Sequence, residues 1–343
     1  MMNITETKGA GSDEFRQYIR RNPCTLVYAE PRFLEFVAEH LEARCSWLVA
    51  RRRGEIVGLL PLLRKDGPMG PVFNSLAYYG SNGGVIQASQ DADSKLALIN
   101  AFYSMAADAQ AASATIISNP LEGDSEFYDA HIAYDFRDER IGQITHLPSS
   151  EEDLITRFED PRPRNIRRAI REGVTVSRGA SEALEFLYNT HAANMTAIGG
   201  LAKKNSFFDS IPANMHTEDW AVFTASIEGK PVAALLLFYF NRTVEYFTPV
   251  IMESYRNTQA LALVIHEAMC DAIQRGFTNW NWGGTWLSQG GVYDFKKRWG
   301  TSEYRYFYYT RVMNPDLKTC KSEYLLEHYP GFYLIPFDRL LES

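Results

Sequence analysis

Apolar and polar positions along this chain change period several times. Phe33, Val37 and Leu41 recur at helical spacing behind Pro31, a proline suited to a first helical turn, and they predict a helix ending near Arg44. From Trp47 the pattern shortens. Trp47–Ala50, a turn containing Gly54, and Ile56–Leu60 predict a β-hairpin. Strands at Val72–Tyr79 and Gly84–Gln87, a helix over about Asp93–Ala111 and a β-rich run Ala114–Ser118 complete the first half. The second half repeats this order. Trp220–Phe223, the Glu228-Gly229 turn and the wholly apolar Val232–Phe240 form a second hairpin whose later strand is buried on both faces. Val244–Met252 is the next strand. Leu261, Val264, Ile265, Ala268, Met269 and Ala272 then form one stripe of a long helix, which Gly276 closes. Asn279–Trp282 and Tyr304–Thr310 read as strands. Hairpin, strand, helix and strand thus occur twice, which predicts two copies of one α/β unit.

The expected boundary lies near Leu147-Pro148-Ser149-Ser150, where a serine caps a helix opened by Glu151, Glu152 and Asp153. The expected ranges are a flexible leader at 1–12, domains at 13–148 and 149–315, and an extension at 316–343. A length of 343 residues agrees with two cores. Hydrophobic residues at 45% and charged residues at 22% exclude disorder for most of the chain. The net charge of −7 argues against a protein that coats nucleic acid but leaves room for a local basic site. Val232–Phe240 is about half the length of a bilayer crossing, and the first residues lack a basic-then-apolar signal, so no membrane span and a cytoplasmic location are expected. Cys24, Cys45, Cys270 and Cys320 have neither zinc-site nor disulfide-framework spacing.

Three segments can carry chemistry. Pro161–Arg171 holds five arginines, and Arg164, Arg168 and Arg171 fall at helical spacing; they form either an anion-receiving patch or a solvated face paired with acids such as Glu172. Asn279–Trp286 brings Trp282, Gly283 and Gly284 shortly before Tyr293-Asp294-Phe295-Lys296. Two glycines after a strand admit close backbone approach, and a partly desolvated Lys296 can meet charge developing on a carbonyl oxygen; the alternative is a helix pinned by Phe295 and Trp299 with its lysines in water. Tyr78-Tyr79-Gly80-Ser81-Asn82-Gly83-Gly84 is a strand end running into ordinary turn chemistry. No GxGxxG, GxxxxGKS, HExxH or GxSxG pattern occurs, so a nicotinamide dehydrogenase, P-loop kinase, zinc protease or α/β-hydrolase has no support.

Arg164–Ala169 with Gly173-Val174, His191–Met195 leading to Phe207-Phe208, and Gly283-Gly284 with Phe295-Lys296 and Gly300 together resemble the FemAB-like branch of the GNAT acyltransferases. More narrowly they resemble the BioF2-like or CelD-type members tied to surface polysaccharide synthesis. Pro31-Arg32-Phe33, Gly58–Leu62, Asn74–Gly80 and Arg140–Thr145 extend the resemblance over roughly residues 25–312. It implies an α/β (α+β) fold of two tandem GNAT-like domains, each a mixed twisted sheet flanked by helices. It also implies transfer of an acetyl or aminoacyl group from acyl-CoA or aminoacyl-tRNA to an amine, without a metal or a tightly bound cofactor. The acceptor it suggests is a small-molecule amine or nucleotide sugar feeding polysaccharide or envelope synthesis; DNA is no partner. Phe295 and Lys296 match the transfer-site pair of the family, with Asp294 or Glu245 to discard a proton and Tyr246 or Tyr293 assisting. Tyr78, Tyr79, Arg164, Arg168, Tyr246, Trp282, Gly283, Gly284 and Tyr293 are expected to bind substrate, and backbone amides near Gly283-Gly284 to help with the oxyanion. Arg256 and Asn257 open the stretch that matches the CoA pyrophosphate turn of GNAT domains, here without its glycines. The rival readings are a non-catalytic carbohydrate- or nucleotide-sugar-binding protein and a nucleic-acid-binding protein using Arg162–Arg171.

Overall fold

The computed structural model describes residues 2–9, 11–76 and 82–340. Its elements in chain order are β1 (Met2–Lys8), α1 (Asp13–Arg20), α2 (Pro31–His40), β2 (Arg44–Arg52), β3 (Glu55–Lys65), β4 (Val72–Ser75), α3 (Ala92–Asp108) and β5 (Ser113–Ile117). There follow α4 (Ser125–His131), β6 (Phe136–His146), α5 (Glu151–Thr156), α6 (Arg162–Arg171), β7 (Thr175–Gly179), α7 (Leu184–Ala197) and α8 (Asn205–Asn214). The last are β8 (Trp220–Ile227), β9 (Lys230–Phe240), β10 (Thr243–Ile251), α9 (Ala260–Gln274), β11 (Asn279–Thr285), α10 (Gly290–Lys297), β12 (Thr301–Val312) and α11 (Ser322–His328).

The chain forms two compact units. One contains residues 1–141 and 304–343, the other 142–303. In the first, strands run β1-β2-β3-β4-β5-β12, antiparallel except for the parallel β4/β5 pair that the α3 crossover requires. In the second, the order is β11-β10-β9-β8-β7, again antiparallel except for β10/β11, joined through α9. The repeated unit is therefore β2-β3-β4-α3-β5 and β8-β9-β10-α9-β11. Each has its own core. Leu98, Ile99, Phe102 and Ala106 of α3 pack with Leu48, Leu60 and Ile116 in the first unit. Val264, Ile265, Ala268 and Met269 of α9 pack with Leu235, Leu237, Trp280 and Trp299 in the second.

Three expectations change. Residues 2–8 are not a leader: all seven pair with β2, from Met2 opposite Arg52 to Lys8 opposite Ser46. Alternating Ile4 and polar neighbours give this short edge strand little sequence signal. Gly84–Gln87 makes one isolated bridge, Leu59 to Ile86, rather than a strand. The second unit also begins and ends earlier than the expected 149–315, because Gly142–His146 of β6 belongs to it while Tyr304–Ser343 returns to the first. Of the strand expected at Val72–Tyr79, Val72–Ser75 is seen; Tyr78 and Tyr79 lie outside the described residues. No helix among the described residues is long and apolar enough to cross a membrane.

Candidate functional site

In the second unit the parallel ladder between β10 and β11 is short. It joins Thr243, Val244 and Glu245 to Asn279, Trp280 and Asn281. Beyond it β10 slips register against β9 between Tyr246 and Thr248, and β11 continues through Gly283, whose φ of +72° is the left-handed conformation that glycine adopts at least cost. The carbonyls of Gly283 and Gly284 there take a side-chain partner, Lys296.

The last turn of α10 carries Lys296 back over the end of β11. Nζ donates to Thr285 Oγ1 at 2.9 Å, to Gly284 O at 3.1 Å and to Gly283 O at 3.3 Å. The side chain is buried, and that burial lowers its pKa to about 8. Thr285 Oγ1 in turn donates to Gln143 Oε1 at 3.2 Å, and Gln143 Nε2 donates to Tyr293 O at 3.1 Å, closing a ring from β6 through β11 to α10. Asn281 does similar work below: its Nδ2 donates to both carboxylate oxygens of Glu245, at 2.9 and 3.2 Å, while its Oδ1 accepts from Gly283 N at 2.9 Å. The Gly283 amide is therefore engaged, and the carbonyls of Gly283 and Gly284, rather than that amide, face the lysine.

Aromatic side chains wall this corner. Trp282 stacks on Trp299 at 5.6 Å, meets Phe295 edge-on at 6.2 Å and lies 4.7 Å from Tyr246. Its Nε1 donates to Thr145 Oγ1 at 2.9 Å. Burial raises the Tyr246 hydroxyl well above the ordinary phenol value. Arg162, first residue of α6, turns inward over Phe295 at 4.3 Å and Trp299 at 5.3 Å.

Of the residues expected to act, Phe295, Lys296, Trp282, Gly283, Gly284 and Tyr246 meet here. Tyr293 contributes its carbonyl, while its hydroxyl bonds Glu303, which raises its pKa. Asp294 is exposed, two residues and over half a helical turn from Lys296. Glu245 is buried beneath the site in the grip of Asn281. Arg164 and Arg168 stand on the exposed face of α6, Arg168 beside Glu172 at 3.7 Å. Arg256 and Asn257 are exposed in the 3-10 turn before α9. Arg256 lines a cavity of about 720 Å³ with Phe186, Thr190 and Asn194 of α7. Gln143, Thr145, Asn281 and Thr285 were not foreseen as a set. Their signal is two polar residues at strand spacing, Gln143 and Thr145, both fully buried. Among the described residues, no group of three or more His, Cys, Asp or Glu could hold a metal ion.

Residues 162–297, which include α6, α9, β10, β11 and Lys296, match the family model for the acetyltransferase (GNAT) domain. The fold is similar to that of FemX: TM-score 0.72 at 16% identity, over 91% of this chain and 98% of that one. It is also similar to the C-terminal domain of a putative lysylphosphatidylglycerol synthetase from Agrobacterium fabrum, with TM-score 0.58 and 11% identity over 94% and 98% of the two chains. A tandem GNAT protein from the clavulanic acid biosynthesis pathway matches at TM-score 0.52 and 10% identity, over 92% of this chain and 99% of that one. No curated protein matches the sequence. The matched segment, residues 162–297, is thus similar to an acetyltransferase (GNAT) domain, and the chain as a whole has a FemX-like fold.

Proposed function

We propose that this chain moves an acyl group, acetyl or aminoacyl, from an activated donor to the amine of an amino sugar or of another polysaccharide or cell-envelope precursor, in the cytoplasm where acyl-CoA and aminoacyl-tRNA are made. The observation that carries the reading is the Lys296 ammonium, buried at the opening between β10 and β11 and fixed by three oxygens. The neutral acceptor amine attacks the thioester or ester carbonyl, the C–N bond forms, and negative charge collects on the carbonyl oxygen. Lys296 meets that charge in a water-poor corner, where a fixed cation counts for far more than in bulk water. Collapse of the intermediate expels the thiolate or alkoxide, and the amine proton leaves to that group or to water. Orientation by the Trp282, Phe295 and Tyr246 wall supplies much of the remaining rate. Arg256 and Asn257, beside the start of α9, are placed on the donor in this reading, and the missing glycines of that turn keep aminoacyl-tRNA beside acyl-CoA as donor.

The test is transfer from acetyl-CoA or an aminoacyl-tRNA to a panel of nucleotide-sugar amines, read by product mass. Lys296→Ala is expected to fold and to lose about 100- to 1,000-fold in kcat. A folded variant with full activity would remove the lysine from the reaction.

A further inference from the structure

We propose that Arg162 is an anion receptor of the transfer site, whose guanidinium takes a phosphate or carboxylate oxygen of a substrate beside Lys296. The inference rests on the acyl-transfer reading for its place in the reaction.

Arg162 is 8% exposed, yet one hydrogen bond to protein accounts for it: Nη2 donates to Phe295 O at 3.0 Å. Its Nε is buried with no partner. A guanidinium has five N–H donors, and burying its charge costs several kcal/mol unless an anion and full hydrogen bonding offset it. Two aromatic faces offset part of that. Burial lowers the pKa of Arg162 and the like charge of Arg298 lowers it further, with Tyr246 opposing them by a smaller amount.

The same chain shows what a purely structural buried arginine looks like. Arg140, in the first unit, is 4% exposed and makes a bidentate pair with Asp138, at 2.6 and 2.8 Å, plus a bond to Glu139 O at 2.8 Å. Arg162 has the burial without the partner. The partner it lacks is a planar or tetrahedral oxyanion, which the guanidinium fork fits. Its position favours a substrate as the source: it covers the face of Phe295, the residue that precedes Lys296 on α10. Helix α6, ten residues long and entered at Arg162, adds the positive end of its dipole at this point.

The anion can belong to the donor, as a nucleotide phosphate, or to the acceptor, as a sugar diphosphate or carboxylate. Two measurements on the full chain decide. In thermal unfolding at constant ionic strength, inorganic pyrophosphate is expected to raise the midpoint of the natural protein by mass action and to have no effect on Arg162→Met. Without ligand, Arg162→Met is expected to melt no lower than the natural protein, whereas Arg140→Met melts well below it. In initial-rate kinetics, Arg162→Met raises KM about 10- to 100-fold for whichever substrate carries the anion, as expected for losing a charge-assisted hydrogen bond. Arg162→Lys, which keeps the charge without the fork, falls between. A pyrophosphate response that survives in Arg162→Met, unchanged KM for both substrates, or a variant that destabilises or fails to fold like Arg140→Met overturns the proposal. A natural protein that transfers no acyl group while Arg162→Met alone loses the pyrophosphate response would instead overturn the proposed function and leave the anion site standing.

Discussion

Lys296 and Lys203 hold their protons against the pull of burial. Each is lowered to about 8 from an ordinary 10.5, Lys296 over the end of β11 and Lys203 in the segment between α7 and α8. Between those two values the unfolded chain binds a proton that the folded chain has lost, so stability rises with pH across that window. Lys203→Met is expected to flatten that rise, measured as unfolding midpoint against pH from 7.5 to about 10.5. An unchanged slope would place the burial of Lys203 in doubt. For Lys296 the same shift acts on rate: if the charged form stabilises the transition state, kcat falls as pH climbs through about 8. Arginine stays charged throughout that range, so Lys296→Arg should keep part of the activity and shift the alkaline limb upward by more than a pH unit. His191 provides an internal contrast. Its Nε2 accepts the Lys203 amide at 3.1 Å and its pKa falls to about 4, so it is neutral across the pH window of the two lysines and adds no limb of its own.

At the scale of elements, the site depends on how α10 is held between β11 and β12. Gly300 ends that connection with φ +70°, and a Cβ there would stand 2.7 Å from Arg157 O. Gly300→Ala therefore combines a left-handed backbone with a backbone clash, and a loss of about 2 kcal/mol or more in denaturant unfolding is expected. Activity should fall with it, because α10 carries Phe295 and Lys296. Much of this element was legible beforehand: the paired glycines, the tryptophans and the Phe295-Lys296 dipeptide marked the corner. The polar ring that braces it was not. Gln143 and Thr285 are ordinary residues until β6 is set beside β11, and no local pattern says that a strand from so far back will lie there. The arginine run divided in a similar way. The helical period assigns Arg164, Arg168 and Arg171 to one face, while the inward turn of Arg162 became visible only once α6 lay on α9 with Ile166 and Ala169 buried beneath it.

Over the whole molecule, the residues after β12 complete the first unit. Leu317, Leu325, Tyr329, Leu334 and Ile335 are buried, and the Tyr329 hydroxyl accepts from Met69 N and donates to Gly70 O, each at 2.8 Å. Tyr333 N donates to Asn74 Oδ1 at 2.9 Å while Asn74 Nδ2 donates to Tyr333 O at 2.8 Å. At about 1.5–3 kcal/mol for each large apolar side chain, removing residues 315–343 withdraws an amount comparable to a domain's usual net stability of about 5–15 kcal/mol. The truncated chain is expected to lose the calorimetric transition of the first unit and to retain that of the second. Two intact transitions would show that the extension is dispensable.

Hydrophobic period by itself determined the duplicated order of hairpin, strand, helix and strand, because burial on one face of a helix or both faces of a strand must be written into the local sequence. Residue chemistry determined the corner where glycines, tryptophans and Lys296 gather. Tertiary structure alone decided that Met2–Lys8 is a paired strand, that the chain after Tyr304 belongs to the first unit, and that Arg162 is buried with its Nε unpartnered. Each of these depends on what lies opposite a residue rather than beside it in sequence, and pairing across long loops leaves no period for a sequence to display.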